Sequence, residues 1–95
     1  MTGLPDIGTV FENSGFRAEV VGCISDMPVF EVDIEGVVPK HQASSDEMAI
    51  VIHGCVRVTI DDQVFTRCAG EWLIVPAGAS HSVEAIGPAR LLMVG

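Results

Sequence analysis

The sequence predicts an all-β domain, a jelly-roll barrel of short antiparallel strands, and three observations lead there. Apolar residues alternate with a period of two rather than the helical 3.6. Turn-forming residues recur at the short intervals that small strands require. Finally, 95 residues with 48% apolar and 19% charged side chains supply one hydrophobic core and too little polarity for a disordered chain. Residues 1–95 are therefore expected to form a single domain. A domain this size buries only about 60–65% of its unfolded surface, so a second subunit covering apolar patches would add stability. A homodimer is expected, with N-terminal strands within residues 1–39 as candidates for its interface.

The elements follow in order. Phe16 to Ile24 is rich in small and β-branched residues and reads as a strand. In Phe30-Glu31-Val32-Asp33-Ile34-Glu35 every second residue is apolar and every other one acidic, the pattern of a half-buried strand. Ala49 to Ile52 and Leu73 to Val75 are apolar on both faces, as central strands become when covered on both sides. Val56 to Ile60 and Val64 to Arg67 alternate again across a polar turn at Asp61-Asp62-Gln63, which makes a hairpin. Leu91 to Val94 closes the series. Turns are expected at Asn13-Ser14-Gly15, Asp26-Met27-Pro28, His53-Gly54, Ala69-Gly70 and Pro76-Ala77-Gly78. Ser44 and Glu47 match a helix capping box, but the run Met-Ala-Ile-Val-Ile that follows is short and β-branched, so a strand is preferred. A rolled barrel limits exposed sheet edges. An immunoglobulin-like sandwich is disfavoured because Trp72 lies late in the chain without flanking Cys partners.

The formal charge is −8, and the five basic residues Arg17, Lys40, Arg57, Arg67 and Arg90 are scattered. Nucleic acid and sugar phosphates need clustered cations, so neither is an expected partner, and the ligand is expected to be uncharged, cationic or held by a metal. No apolar stretch is long enough to span a bilayer, and Met1 to Gly15 has no Lys or Arg and no long apolar block, so neither a membrane nor a secretory signal is expected. Cys23, Cys55 and Cys68 are odd in number and widely spaced. They read as three free, buried thiols of a cytoplasmic protein.

His41, Glu47 and His81 are the candidate metal ligands. Two imidazoles and one carboxylate form a mixed N/O set suited to Zn, Fe, Mn, Ni or Cu, and three protein ligands leave positions open for water or substrate. Their surroundings are more specific. Gly70-Glu71-Trp72-Leu73-Ile74-Val75-Pro76-Ala77-Gly78-Ala79-Ser80-His81 follows the pattern Gly, five residues, Pro, one residue, Gly, two residues, His. Upstream, His41, Glu47 and Gly54 keep the spacing of a second pattern. Over Lys40 to Ala85 the chain resembles the cupin superfamily, whose two motifs these are. It departs from them in three places: Ala43 replaces a second His, Ala85 replaces a closing Asn, and Gly36 lies one residue closer to His41 than the motif's leading Gly.

The resemblance implies a double-stranded β-helix in which the two motifs aim their side chains at one interior point. It also implies a divalent transition metal, usually held by three His and one Glu, of which this chain keeps two His and the Glu. Ala43 has two opposed readings: it opens a coordination site for water, dioxygen or substrate, or it marks a pocket that works without metal. His53 is expected at an exposed turn; Met48, Phe65 and Trp72 are expected to pack, and Asp46, Glu71 and Glu84 to be surface charges. The absence of Tyr disfavours an epimerase that uses a Tyr acid. Relatives include dioxygenases, isomerases and lyases, so the fold does not select a reaction. A metalloenzyme, a metal-free small-molecule sensor and an accessory structural oligomer are the three readings.

Overall fold

The computed structural model describes residues 5–95, so the first four residues of the expected domain lie outside it. Eight strands and no helix are present among the described residues: β1 (Val10–Glu12), β2 (Phe16–Ile24), β3 (Met27–Ile34), β4 (Val37–Gln42), β5 (Glu47–Ile60), β6 (Gln63–Cys68), β7 (Trp72–Val75) and β8 (Ser80–Val94). All pairings are antiparallel, in the order β1-β2-β3-β8-β5-β6, with β4 also on β8 and β7 also on β5. The all-β expectation holds, and the capping-box signal at Ser44 starts no helix.

Two long strands organise the roll. The first half of β5 pairs with β7 on one side and the end of β8 on the other, whereas its second half pairs with β6 and the start of β8. β8 likewise divides its other edge between β4 and β3. The β5–β8 register slips on both sides of His53, and Gly54 and Gly87 there adopt φ of +79° and +74°. Glycine takes such angles without a Cβ penalty, so the ribbon changes direction there and its two wings face one another. Gly54 is therefore a bulge inside one 14-residue strand and not the turn its sequence suggests. Leu91 to Val94 is likewise the end of a 15-residue strand and not a separate one.

The hairpin from β5 to β6 is tighter than expected, because Ile60 pairs with Gln63 and only Asp61 and Asp62 form the loop. Both have positive φ, 46° and 72°, as a two-residue type I′ turn requires. Asp61 also accepts the Ser80 N–H at 3.0 Å, tying the turn to the strand that carries His81.

Period-two alternation sets the interior. Phe11, Ala18, Val32, Leu91 and Val51 lie opposite one another on five successive strands, and a second row runs from Val20 through Phe30 and Met93 to Ala49 and Leu73. Ile34, Val20 and Val56 are the largest fully buried side chains.

The cysteines overturn the sequence reading. Cys55 and Cys68 form a disulfide, their Cα atoms 4.0 Å apart, because they face one another across the β5–β6 ladder. Cys23 is free but exposed, near the tip of the β2–β3 hairpin. The argument for a reducing cytoplasm from free thiols falls with them. No helix among the described residues is long and apolar enough to cross a membrane.

Candidate metal and ligand site

The roll encloses a cavity of about 380 Å³. His41, Glu47, His81 and Arg67 are its ionisable lining groups, and the rest of the wall is apolar. Each of the three expected ligands arrives on a different strand. His41 on β4 stands directly opposite His81 on β8, and Glu47 opens β5 with its side chain on the inner face shared by Ala49 and Val51. The turn Pro76-Ala77-Gly78 delivers β8 to this point. Asp46 accepts the Ala77 N–H at 2.8 Å, so a residue expected to be only a surface charge braces the turn that precedes His81. Glu71 does similar work by accepting the Cys68 N–H at 2.7 Å, whereas Glu84 pairs with Arg57 at 2.8 Å.

His81 is the one buried polar residue among those described, at 4% exposure. Its Nε2 lies 3.6 Å from Glu47 Oε1, too long for a hydrogen bond but close to the ~3.4 Å that separates two donors each about 2.1 Å from a tetrahedral ion. Its Nδ1 is buried without a hydrogen-bond partner. Burial holds the His81 pKa below the ordinary 6.5, with the neighbouring His41 pushing the same way and Glu47 and the Ala79 backbone opposing. Burial thus favours the neutral imidazole, the form that offers a lone pair to a metal. His41 is exposed, and its ring centroid is 4.1 Å from that of His81 at 57° between planes. His41 Nδ1 donates to the Pro39 carbonyl at 2.9 Å, which orients the ring and leaves Nε2 as its other available nitrogen. The donor chemistry therefore suits a divalent transition ion. The pairwise approaches nevertheless stop short of an assembled centre: no group of three or more His, Cys, Asp or Glu side chains is close enough to hold a metal among the described residues.

Ala43, in place of the second motif His, is not part of the cavity wall. It is 3% exposed, and its backbone is hydrogen-bonded to Ala79 and Gly78. His53 is exposed as expected, though within β5 and away from this cavity.

The fold is matched by comparison with known proteins. The sequence profile described as "Cupin domain" matches residues 28–95. The chain belongs to the cupin family. A cupin-2 domain containing protein from Shewanella frigidimarina is 26% identical with a TM-score of 0.79, over 88% of this chain and 83% of that one. KdgF from Halomonas sp. is 20% identical with a TM-score of 0.78, over 90% of this cupin and 82% of KdgF. Fe(II)-HppE, solved with the alternative substrate (S)-1-HPP, is 15% identical with a TM-score of 0.82, over all of this cupin and 59% of HppE. The last two similarities establish the shared fold. No curated protein is similar enough to this cupin to count as a match.

One lining residue escaped the sequence reading. Arg67 pairs with Val56, which is 1% exposed, and so shares its inward face. Its place in an alternating strand opposite a core valine was the available signal.

Proposed function

We propose that this cupin binds a small molecule with an apolar body inside the barrel and holds one divalent transition metal, of the Zn, Fe, Mn, Ni or Cu class, between His41, Glu47 and His81. The observation that supports the reading is the pairwise approach of His81 to Glu47, 3.6 Å, and of the His41 and His81 rings, 4.1 Å between centroids, with all three residues lining an otherwise largely hydrocarbon cavity. A bound ion supplies a Lewis acid for a ligand oxygen. His41 and His81 offer ring nitrogens, Glu47 offers a carboxylate oxygen, and the surrounding valines make the rest of the wall apolar. Elemental analysis of protein purified without added metal tests this: about one divalent ion per chain is expected, and none in His81→Ala. Equal metal content in the two proteins discards the ligand assignment.

That no preassembled three-donor cluster is found among the described residues favours a second reading, a metal-free binding module. In that case organic ligands raise the melting temperature while metals and chelators leave it unchanged.

The partner is a second copy of the chain. Trp72 and Ile74 on β7 are 58% and 53% exposed, and they continue on the outer face through Ile50 and Met48 of β5 to Leu92 and Val94 of β8. Beyond this patch the outer face turns charged, with Arg90 bridging Asp33 and Glu31. A hydrophobic centre with a polar rim is the arrangement of a subunit interface. Sedimentation at micromolar concentration should give a dimer that Trp72→Glu converts to monomer; a monomeric wild type rules the interface out.

A further inference from the structure

The cavity holds a charge that the metal reading does not use. Arg17 pairs with Glu19 at 3.2 Å, Arg57 with Glu84 at 2.8 Å, and Arg90 with Asp33 at 2.8 Å. Arg67, alone among the four arginines, has no carboxylate partner among the described residues, and it is also the one that lines the cavity. Its Nε donates to the Trp72 carbonyl at 3.2 Å and its Nη1 to the Thr66 carbonyl at 3.0 Å, while the guanidinium lies 5.5 Å over the Phe65 ring. Two carbonyls and an aromatic face fix the side chain without neutralising it. Three of the five guanidinium N–H bonds remain without a protein acceptor.

A half-buried, immobilised and unneutralised cation in a largely hydrocarbon wall is a receptor for an anion, because low surrounding polarity strengthens a charge-assisted hydrogen bond. We propose that Arg67 seats the carboxylate of the ligand, making the ligand class a small monocarboxylic acid with an apolar body. This rests on the reading of the cavity as a ligand site. It replaces the expectation of an uncharged or cationic ligand, which followed from basic residues being few and scattered along the chain. The fold, not the sequence count, brings one of them inside.

Register sets where the acid lies. Arg67 pairs with Val56, Val56 pairs with Ala85, and Ala85 is four residues from His81 along β8, about 13 Å of strand. A carboxylate on Arg67 therefore leaves the apolar body along Val56, Val58 and Val83 toward His81 and Glu47, with the acid itself at the opposite end from these two. The overall charge of −8 repels anions only weakly at this range, since salt screens exposed charges beyond about 8 Å.

The test is titration calorimetry of the full chain, untreated and after EDTA dialysis, with octanoate and 3-phenylpropionate as probes and octanamide and 3-phenylpropanamide as their neutral counterparts. The acids should bind about tenfold or more tighter than the amides. The preference should survive EDTA, shrink in Arg67→Lys and vanish in Arg67→Gln. Methyl resonances of Val58 and Val83 should shift on binding, locating the probe in the barrel. Amides binding as tightly as acids, or an acid preference unchanged in Arg67→Gln, overturns the role of Arg67 and leaves the cavity reading intact. A preference lost with EDTA instead assigns the anion to the metal. If neither acids nor amides bind, the cavity reading fails and the carboxylate proposal with it.

Discussion

Gly54→Ala should cost this cupin about 3 kcal/mol or more of stability and lower its melting temperature by roughly 10–20 °C. Two effects add. Gly54 has φ +79°, which costs an L-residue about 1–2 kcal/mol. In addition, a Cβ there would collide with the Pro88 carbonyl and come within 3.1 Å of Ala89 Cα, both backbone atoms of β8. Relieving that contact means moving the ribbon apart at the bulge that joins the two wings. Gly78 separates the two effects: its φ is +84°, yet an added Cβ meets nothing within 4 Å. Gly78→Ala should therefore lose only the conformational part, about 1–2 kcal/mol. Urea unfolding of the two variants measures the difference, and equal losses would show that the close approach to Pro88 has no energetic weight. The glycine that closes the His41, Glu47 and Gly54 pattern thus lets β5 and β8 approach one another at the bulge.

Removing the disulfide by Cys55→Ser with Cys68→Ser should destabilise the domain by about 2–4 kcal/mol, because the bridge closes a loop whose ends are 13 residues apart and limits the unfolded chain. Reductant should bring the wild type to the same stability and leave the double variant unchanged. Under denaturing, non-reducing conditions one thiol per chain should react, that of Cys23. Three reactive thiols would mean that the bridge is absent. The bridge also matters to the cavity, because it pins β6 next to Arg67 on an edge strand whose other side has no partner among the described residues.

Much of this was legible in the sequence where local pattern decides structure. Alternation in Phe30 to Glu35 places Val32 and Ile34 in the core, and the spacing from Gly70 to His81 anticipates the turn that brings His81 beside Glu47. Pairings across distance were less legible. The disulfide was implicit in the hairpin: once Asp61 and Asp62 form the turn, Cys55 and Cys68 fall opposite one another, yet counting cysteines without applying that register suggests three free thiols. Gly54 looked like a chain reversal because a glycine in a strand and a glycine in a turn have the same local signature, and only β8 alongside distinguishes them. Arg67 counts in the sequence only as one of five scattered basic residues, because its inward direction depends on Val56 across the ladder. The full burial of Ala43 likewise depends on backbone bonds to Gly78 and Ala79, some 35 residues later.

β8 carries one more consequence. It is the bond between the β1-β2-β3 ladder and the β5-β6-β7 ladder, and it is the pairing partner of β4. It is also the last of the eight strands to leave the ribosome. Until then the nascent chain can form two local meanders, but neither has the surface that buries it. Assembly is therefore governed by non-local contacts, which places this cupin among the slower-folding topologies, with apolar faces exposed until β8 joins the two ladders.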